Sequence, residues 1–264
     1  MILYKDKKYF FQLIPKNFLK NTQVAFNFFY FYVMSIIIGL IRDNFGLVAS
    51  DGRIFPPVDY ENGKPKALVM PRDDNSDKTF SLNEGKVIGA YCGNMEFLGK
   101  SISEHLTEIY ATECNGTTLW SERLSNLYLH LKTRLESPDC EILFQFRGLN
   151  LILISSETGK SKDLKIYWAA FKPVNNKIII DQNILPSSAK ITGTYYWKIF
   201  GDDNSQPFVN KYLYESTKLP SPFVTKRLLE SKLRNSISTG IEHSLPPVFS
   251  TEKSCGGTTF TRTI

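Results

Sequence analysis

Residues 35–53 read SIIIGLIRDNFGLVASDGR, and this stretch decides the fold of the chain. Ser35–Ile41 is a short apolar run rich in β-branched residues, which favours a buried strand. Arg42–Gly46 has the composition of a turn, and Leu47–Ser50 predicts a second short strand. The stretch therefore predicts two strands joined by a turn, with the carboxylate of Asp51 directly after the second strand.

The upstream residues support a competing interpretation of the same stretch. Residues 1–33 contain eleven aromatic residues and five lysines, but neither Gly nor Glu. The lysines precede Val24–Ile41, an 18-residue stretch without charge in which, tyrosines apart, only Asn27 and Ser35 are polar. Its length and basic flank suit a signal anchor whose N-terminus stays inside the cell.

A second interpretation places the start of the chain at Met34 and treats residues 1–33 as an extension translated upstream of it. Phe, Tyr, Lys, Asn and Ile are the residues that A/T-rich triplets encode, so such DNA would produce a prefix of this composition. Residues 35–264 would then form a single domain, and removal of Met34 would expose Ser35 as the first residue. We favour this second interpretation, because the sequence after Met34 has the pattern of an ordered domain.

Composition argues against several classes of function. The chain has 264 residues, of which 42% are hydrophobic, which is enough for a large core. Its formal net charge of +6 is mild and no Lys/Arg block alternates with aromatics, so we expect no nucleic-acid partner. Its four cysteines and three histidines show no metal-ligand spacing, so we expect no metal. The sparse, unpaired cysteines favour a reducing compartment.

Hydrophobic periodicity predicts the remaining elements. Residues 52–76 are polar with several prolines, which indicates a loop or small insertion, and a hairpin is predicted over residues 78–91. Two helices follow, one with apolar positions from Leu98 to Ile109 and one from Trp120 to Leu135. The other predicted strands are 142–146, 149–155, 165–171, 177–180, 190–200 and 256–264, and the other predicted helices are 208–215 and 222–237.

This order of elements predicts an α+β fold built as a four-layer αββα sandwich. Strands come first, followed by two helices, more strands, two further helices and a last strand, and no Pro/Gly/Ser linker divides them. Two central sheets with a pair of helices on each outer face would bury the apolar stripes of all these helices.

Four stretches of the chain carry a resemblance to a known family. They are SIIIGLIRDNFGLVASDGR, KTFSLNEGKVIGAYCGN, KIFGDDNSQPFV and SCGGTTFTRTI, in that order. From Ser35 onward the chain resembles the N-terminal-nucleophile hydrolases, and among these the proteasome β-type subunits and the peptidase subunit of the bacterial proteasome-like protease. In that family a hydroxyl residue begins the mature chain and an Asp follows sixteen positions later, which is the offset between Ser35 and Asp51.

The resemblance implies a catalytic site made of Ser35, Asp51 and Lys78. Ser35 would be the nucleophile and its own α-amine the general base, since a free α-amine has a pKa of about 7.7–8.0. The ammonium of Lys78 would lower the pKa of that amine by charge repulsion, and Asp51 would keep Lys78 charged. A backbone N–H at Cys92 or Gly93 would bind the oxyanion. The implied reaction is amide-bond hydrolysis through an acyl-enzyme, without metal or cofactor.

The supporting turn at Gly201 departs from the family pattern. Asp202 and Asp203 stand where a Ser and a small residue are expected, and that Ser helps to support the amine in the family. One alternative to the peptidase is therefore a catalytically inactive proteasome-like assembly subunit. Another is a membrane-anchored protein held by Val24–Ile41.

The peptidase hypothesis also implies partners and a location. The resemblance implies a peptide or protein substrate, a homo-oligomer and an ATP-driven unfoldase, all in the cytoplasm, with membrane association not expected. Cys92 has no His in a local pairing context, so we expect it to be a small buried residue rather than a nucleophile.

Overall fold

The computed structural model describes residues 35–56, 60–61, 64–93, 96–114, 120–137, 148–156, 163–174, 177–187, 191–217, 224–247 and 250–264. These residues lie in one compact unit of the chain, Phe31–Ile264. The prefix 1–33, the candidate start at Met34 and the predicted strand 142–146 fall outside the described residues.

The described residues form thirteen strands and four helices. The strands are β1 Ile36–Arg42, β2 Phe45–Ser50, β3 Tyr60–Glu61, β4 Lys64–Pro65, β5 Thr79–Leu82, β6 Val87–Gly93, β7 Glu96–Phe97, β8 Lys100–Ser101, β9 Leu149–Ser156, β10 Leu164–Val174, β11 Lys177–Leu185, β12 Tyr195–Gly201 and β13 Phe260–Thr263. The helices are α1 Ile102–Glu113, α2 Trp120–Leu135, α3 Gln206–Thr217 and α4 Lys226–His243.

The strands assemble into two main sheets and two short hairpins, and every pairing is antiparallel. The first sheet has the order β12-β1-β2-β13 and the second has the order β11-β10-β9-β6-β5. The hairpins are β3-β4 and β7-β8. With four helices and antiparallel sheets, the fold belongs to the mixed α+β class, as the sequence predicts.

Strand β1 is buried along its whole length because both of its faces contact apolar side chains. Consecutive strand residues point to opposite faces, so Ile36, Ile38 and Leu40 share one side and Ile37 and Ile41 the other. The first three belong to a cluster with buried residues of α3 and α4, called here the α3–α4 cluster. The other two belong to the intersheet cluster, which combines buried residues of both sheets.

A further buried cluster covers the second sheet on the side of α1 and α2, and is called here the α1–α2 cluster. Helix α1 begins at Ile102 because Ser101 and Glu104 form a capping box: the Glu104 N–H donates to Ser101 Oγ at 3.3 Å and the Ser101 N–H donates to Glu104 Oε2 at 2.7 Å. Its buried face includes Leu106 and Ile109, which lie one turn apart.

Gly39 of β1 lies against strand β9 of the second sheet. A Cβ added at this position would lie 2.5 Å from Ile152 Cγ2 of β9, well inside van der Waals contact. The absence of a side chain on Gly39 therefore sets how closely the two sheets approach each other at this point.

The predicted order of elements is confirmed over the described residues, but some bounds are wrong. Leu98 is not the first apolar residue of α1: it lies in the β7–β8 turn at a φ of 49°, about half exposed. The predicted strand 256–264 is limited to β13, because Gly257 at a φ of 75° interrupts the extended backbone. The predicted loop 52–76 contains the short hairpin β3-β4.

The alternative interpretation of Val24–Ile41 as a membrane span is wrong where the structure describes it. Ile36–Ile41 lie in strand β1, hydrogen-bonded to strands on both sides, rather than in a spanning helix. In the described ranges, no helix combines the length and apolar character needed to cross a membrane.

Candidate active site

Ser35 lies at the start of β1, with only 4% of its surface exposed. Its carbonyl oxygen accepts a hydrogen bond from the Asp202 N–H at 3.1 Å, at the end of β12. Gly201 has a φ of 143°, and a Cβ there would lie 2.1 Å from the Ser35 carbonyl oxygen. The turn at Gly201 therefore holds the backbone of Ser35 and leaves no room for a side chain.

Asp51 lies beside Ser35 because β1 and β2 form a tight hairpin. Ile37 pairs with Ser50, so the residue after β2 lies opposite the beginning of β1. The Asp51 carboxylate is fully buried, and its Oδ1 accepts a hydrogen bond from the Ile36 N–H at 3.0 Å. Its Oδ2 accepts from the Gly256 N–H at 3.0 Å. Hairpin geometry thus explains the sixteen-residue offset seen in the sequence.

Lys78 completes the group from the residue before β5. Its side chain is fully buried, and its ammonium donates to Ser35 Oγ at 2.6 Å, to Asp51 Oδ1 at 2.9 Å and to the Arg53 carbonyl oxygen at 2.7 Å. An ammonium has three N–H donors, so each of them has an acceptor. The structure therefore places a hydroxyl, an ammonium and a carboxylate in direct contact away from solvent.

This arrangement can polarise the Ser35 hydroxyl. An N–H donor at 2.6 Å stabilises negative charge on Oγ, and its effect is strong because the group is shielded from water. Asp51 balances the charge of Lys78 at 2.9 Å, so the ammonium is tolerated in the interior. Ser35 thus has an electrostatic partner for nucleophilic chemistry.

Cys92 and Gly93 lie at the end of β6, and the structure gives neither a hydrogen bond to Ser35. Burial raises the pKa of the Cys92 thiol to about 12, so it is protonated at neutral pH. The Asn150 amide donates to Cys92 Sγ at 3.8 Å. Gly93 has a φ of 107°, and a Cβ there would lie 2.3 Å from the Gly148 carbonyl oxygen. Cys92 is thus a small buried residue, and Gly93 is required where two backbones approach.

Asp202 is buried, and its carboxylate contacts hydroxyl groups. Ser205 donates to Asp202 Oδ1 through its N–H at 3.0 Å and its hydroxyl at 2.9 Å, and Ser254 Oγ donates to Oδ2 at 2.8 Å. The carboxylate thereby connects the start of α3 to the segment before β13. In the site, its backbone N–H is the group that contacts Ser35.

Three further contributors to the site were not predicted from sequence. Arg53 supplies the carbonyl oxygen that accepts from Lys78, and its guanidinium binds Asp74 at 2.6 and 3.0 Å. That hydrogen bond holds the pKa of Asp74 below its usual range. Gly256 is the second contributor, through the N–H that it donates to Asp51. A Cβ on Gly256 would lie 2.6 Å from Arg53 Cζ. The Gly256-Gly257 pair is the feature of the sequence from which this close approach could have been predicted. Ser254 is the third contributor, through Asp202.

The described residues contain no cluster of three or more His, Cys, Asp or Glu side chains placed to hold a metal ion. Cys140, the remaining cysteine, falls outside the described residues.

No family model and no curated protein matches the chain. Among solved structures, the chain is similar to one named Thiobacillus denitrificans BPH, with 9% sequence identity and a TM-score of 0.47. The similarity covers 87% of this chain and 97% of the other.

Proposed function

We propose that this chain is a proteasome-like peptidase of the N-terminal-nucleophile type, with Ser35 as its nucleophile. The observation that carries the proposal is the buried contact of Ser35 Oγ with the Lys78 ammonium at 2.6 Å, next to Asp51 at 2.9 Å from the same ammonium. A fully buried lysine has a high desolvation cost, and functional sites are where such groups concentrate.

The proposed architecture is the four-layer αββα sandwich. Three separate buried clusters support it, because one contains α1 and α2 with the second sheet, one contains both sheets, and one contains the first sheet with α3 and α4. Elements connected by shared clusters in this order would stack as one pair of helices, one sheet, the other sheet and the other pair of helices.

The proposed reaction requires a free α-amine on Ser35. That amine takes the Oγ proton as Oγ attacks the carbonyl carbon of an amide, forming a C–O bond and a tetrahedral intermediate. The intermediate expels the amine of the leaving peptide, which receives the proton, and an acyl ester on Ser35 remains. Water then attacks the ester carbonyl carbon while the α-amine takes a proton from it. The C–O bond to Oγ breaks, Oγ receives that proton from the α-amine to regenerate the Ser35 hydroxyl, and the carboxylic acid leaves.

Lys78 and Asp51 support this reaction in different ways. The Lys78 ammonium donates to Oγ, so it stabilises the alkoxide character that develops during attack. Its positive charge also disfavours protonation of a neighbouring amine, which keeps that amine available as a base. Asp51 fixes the Lys78 ammonium and the Ile36 N–H together, and thus orients the start of β1.

Gly93 is the better candidate for binding the oxyanion. The Tyr91 N–H donates to the Lys78 carbonyl oxygen, so by strand alternation the N–H two residues further on leaves β6 on the same edge, past the start of β5. The Cys92 N–H leaves on the edge facing its partner strand β9. On this basis Gly93 supplies the oxyanion donor.

The resemblance adds self-association, an ATP-driven unfoldase and a cytoplasmic location to the proposal.

A second candidate function is an assembly subunit without activity. The observation that favours it is the buried Asp202 carboxylate, whose contacts in the described residues are hydroxyl and N–H groups rather than a cation. Asp202 adjoins Ser35 through its backbone N–H, and a carboxylate on an adjoining residue favours a protonated α-amine, which cannot act as a base.

The test uses the chain expressed from Met34, with the N-terminal residue identified by intact mass. A β-lactone acylating probe should add one acyl group to Ser35, detected by peptide mass spectrometry, and Ser35→Ala should abolish the adduct. Ser50→Ala is the matched control, because Ser50 is also fully buried and its Oγ has no hydrogen-bond partner among the described residues.

The outcomes separate the two candidates. A wild-type chain beginning at Ser35 that takes no label contradicts the peptidase proposal. If Asp202→Ser then takes the label on Ser35, the inactive subunit is supported and Asp202 is the group that suppresses the reaction. Circular dichroism of each variant verifies that it folds.

A further inference from the structure

A cavity of about 310 Å³ opens between the two sheets at their shared edge, next to the candidate active site. Strand β12 borders it from the first sheet, and β10 and β11 border it from the second. Both β12 and β11 are edge strands of their sheets, so the cavity lies where the intersheet space reaches the surface.

Lys198 places a partly buried positive charge in the lining of the cavity. By strand alternation it shares a face of β12 with Phe200, so its side chain enters the intersheet space. Its ammonium lies 3.9 Å from the centroid of the Trp168 ring and 4.5 Å from that of Phe200. It is partly buried, and among the described residues no carboxylate lies within ion-pair distance of it. Burial lowers the pKa of Lys198.

The other charged groups lining the cavity already have partners or face solvent. Lys172 and Asp181 form an ion pair at 3.6 Å, and both side chains are more than half exposed. Asp203 is exposed and accepts a hydrogen bond from Gln206 Nε2 at 3.3 Å. Lys198 is therefore the charge that a ligand inside the cavity would meet away from solvent. The aromatic rings beside it offer packing surface for the carbon atoms of such a ligand.

Two lining residues connect the cavity to the candidate active site. Gly201 contacts the Ser35 carbonyl group, since a Cβ there would lie 2.1 Å from that oxygen. Asn150 donates to Cys92 Sγ at 3.8 Å, one residue before the proposed oxyanion donor. The lining of the cavity thus contacts Ser35 through Gly201 and contacts Cys92, the neighbour of Gly93, through Asn150.

We infer that this cavity binds a carboxylate group, with the Lys198 ammonium as its ion-pair partner and the rings of Trp168 and Phe200 packed against the adjoining carbon atoms. The Lys198 ammonium lies over two aromatic faces, and Asp181 attracts it from beyond ion-pair distance, so a carboxylate entering the cavity supplies a direct partner. The carboxylate belongs either to a free small acid or to an acidic side chain of a peptide. The peptide source rests on the proposed peptidase function, whereas carboxylate binding does not.

The test measures binding by the change in tryptophan fluorescence, to which Trp168 contributes from the lining of the cavity. Glutarate is one probe, and the blocked peptide acetyl-Ala-Glu-Ala-amide is the other, with the Gln peptide as its uncharged control. Lys198→Met should weaken binding of both acids by about tenfold or more, as loss of a charge-assisted hydrogen bond predicts, and Lys198→Arg should largely restore it. Lys86→Met, an exposed lysine at the β5–β6 turn, should bind as the wild type does.

Each outcome decides the inference. Glutarate binding alone assigns the cavity to a free acid, and preferential binding of the Glu peptide over the Gln peptide assigns it to an acidic side chain. Absence of binding by both acids at millimolar concentration overturns the inference, as does Lys198→Met binding them as tightly as the wild type. Because the readout is binding, Ser35→Ala gives the same answer even where the peptidase proposal fails.

Discussion

Lys78 is a fully buried ammonium, and its stability depends on one carboxylate. The hydrogen bonds to Ser35 Oγ and the Arg53 carbonyl oxygen satisfy two donors, and Asp51 is the carboxylate that lies within ion-pair distance among the described residues. Removing one partner of a buried ion pair leaves the other charge uncompensated, which costs more than the pair itself contributes. Removing one partner of this buried pair should therefore destabilise the fold more than removing one partner of an exposed ion pair.

We predict that Lys78→Met lowers the free energy of unfolding by about 3–5 kcal/mol, because it leaves the Asp51 carboxylate buried without a cation. The double variant Lys78→Met/Asp51→Asn should regain part of that loss. Urea denaturation measures both. Lys100→Met is the control, since its pair with Glu108 has side chains 47% and 40% exposed; a loss of about 0–1 kcal/mol is expected there. Equal losses at Lys78 and Lys100 would contradict the prediction.

At this scale the sequence predicts local relationships better than distant ones. The neighbourhood of Ser35 and Asp51 follows from one hairpin, so the offset between them is visible in the sequence. The Gly256 N–H that reaches Asp51 is 205 residues away, and only the complete fold brings it there. The role of Arg53 is hidden for another reason: its contribution to Lys78 is a carbonyl oxygen, which every residue type has.

At the scale of elements, α1 carries a histidine that the folded state keeps neutral. His105 is buried and stacks on the Phe97 ring with centroids 3.7 Å apart. Its Nε2 lies 2.8 Å from the Phe97 carbonyl oxygen and its Nδ1 lies 3.2 Å from an Arg134 nitrogen. A neutral ring that donates from Nε2 and accepts at Nδ1 satisfies both contacts, whereas a protonated ring would oppose Arg134. Burial, the largest cause, lowers the pKa of His105.

We predict that stability falls as the pH drops below about 6.5, the ordinary pKa of histidine, because the unfolded chain then binds a proton that folded His105 does not. This contribution is complete above that pH and is lost as the pH falls toward the lowered pKa of the folded state. His105→Gln keeps a donor and an acceptor without titrating, so its melting temperature should change less between pH 7.5 and 5.5. An equal change in wild type and variant would contradict the assignment.

Element types were easier to predict than their ends. The apolar period of α1 and α2 indicates helices, but it cannot mark the start of α1, because Leu98 has the right spacing and the wrong backbone. The capping box of Ser101 and Glu104 fixes that boundary, and its signal in the sequence is short. The end of the chain shows the same limit, since Gly257 shortens a pattern that otherwise alternates like a strand.

At the scale of the whole molecule, the contact between the sheets depends on small residues as well as apolar ones. Gly39 of β1 lies against Ile152 of β9, and these residues belong to different sheets. The apolar run over residues 35–41 predicts that β1 is buried, but it does not predict which residue of another sheet β1 contacts. That pairing comes from the packing of the complete core, which a single sequence does not reveal.

We predict that Gly39→Ala lowers the free energy of unfolding by about 1–3 kcal/mol, because the added methyl group overpacks the contact with Ile152. Ile152→Ala alone should cost about 2–5 kcal/mol through the cavity it leaves. The double variant should be less destabilised than the sum, because the alanine at position 39 then has space. Urea denaturation of the four proteins measures this coupling, and strict additivity would show that the two residues do not meet.

The three described cysteines are distributed one to each buried cluster. Cys114 belongs to the α1–α2 cluster, Cys92 to the intersheet cluster and Cys255 to the α3–α4 cluster. Burial raises the pKa of each thiol, so an alkylating reagent must wait for a local opening to reach a reactive sulfur. The alkylation rate of each cysteine, resolved by mass, therefore reports the rate of local opening of one buried cluster. The three cysteines together are intrinsic probes of three parts of the core.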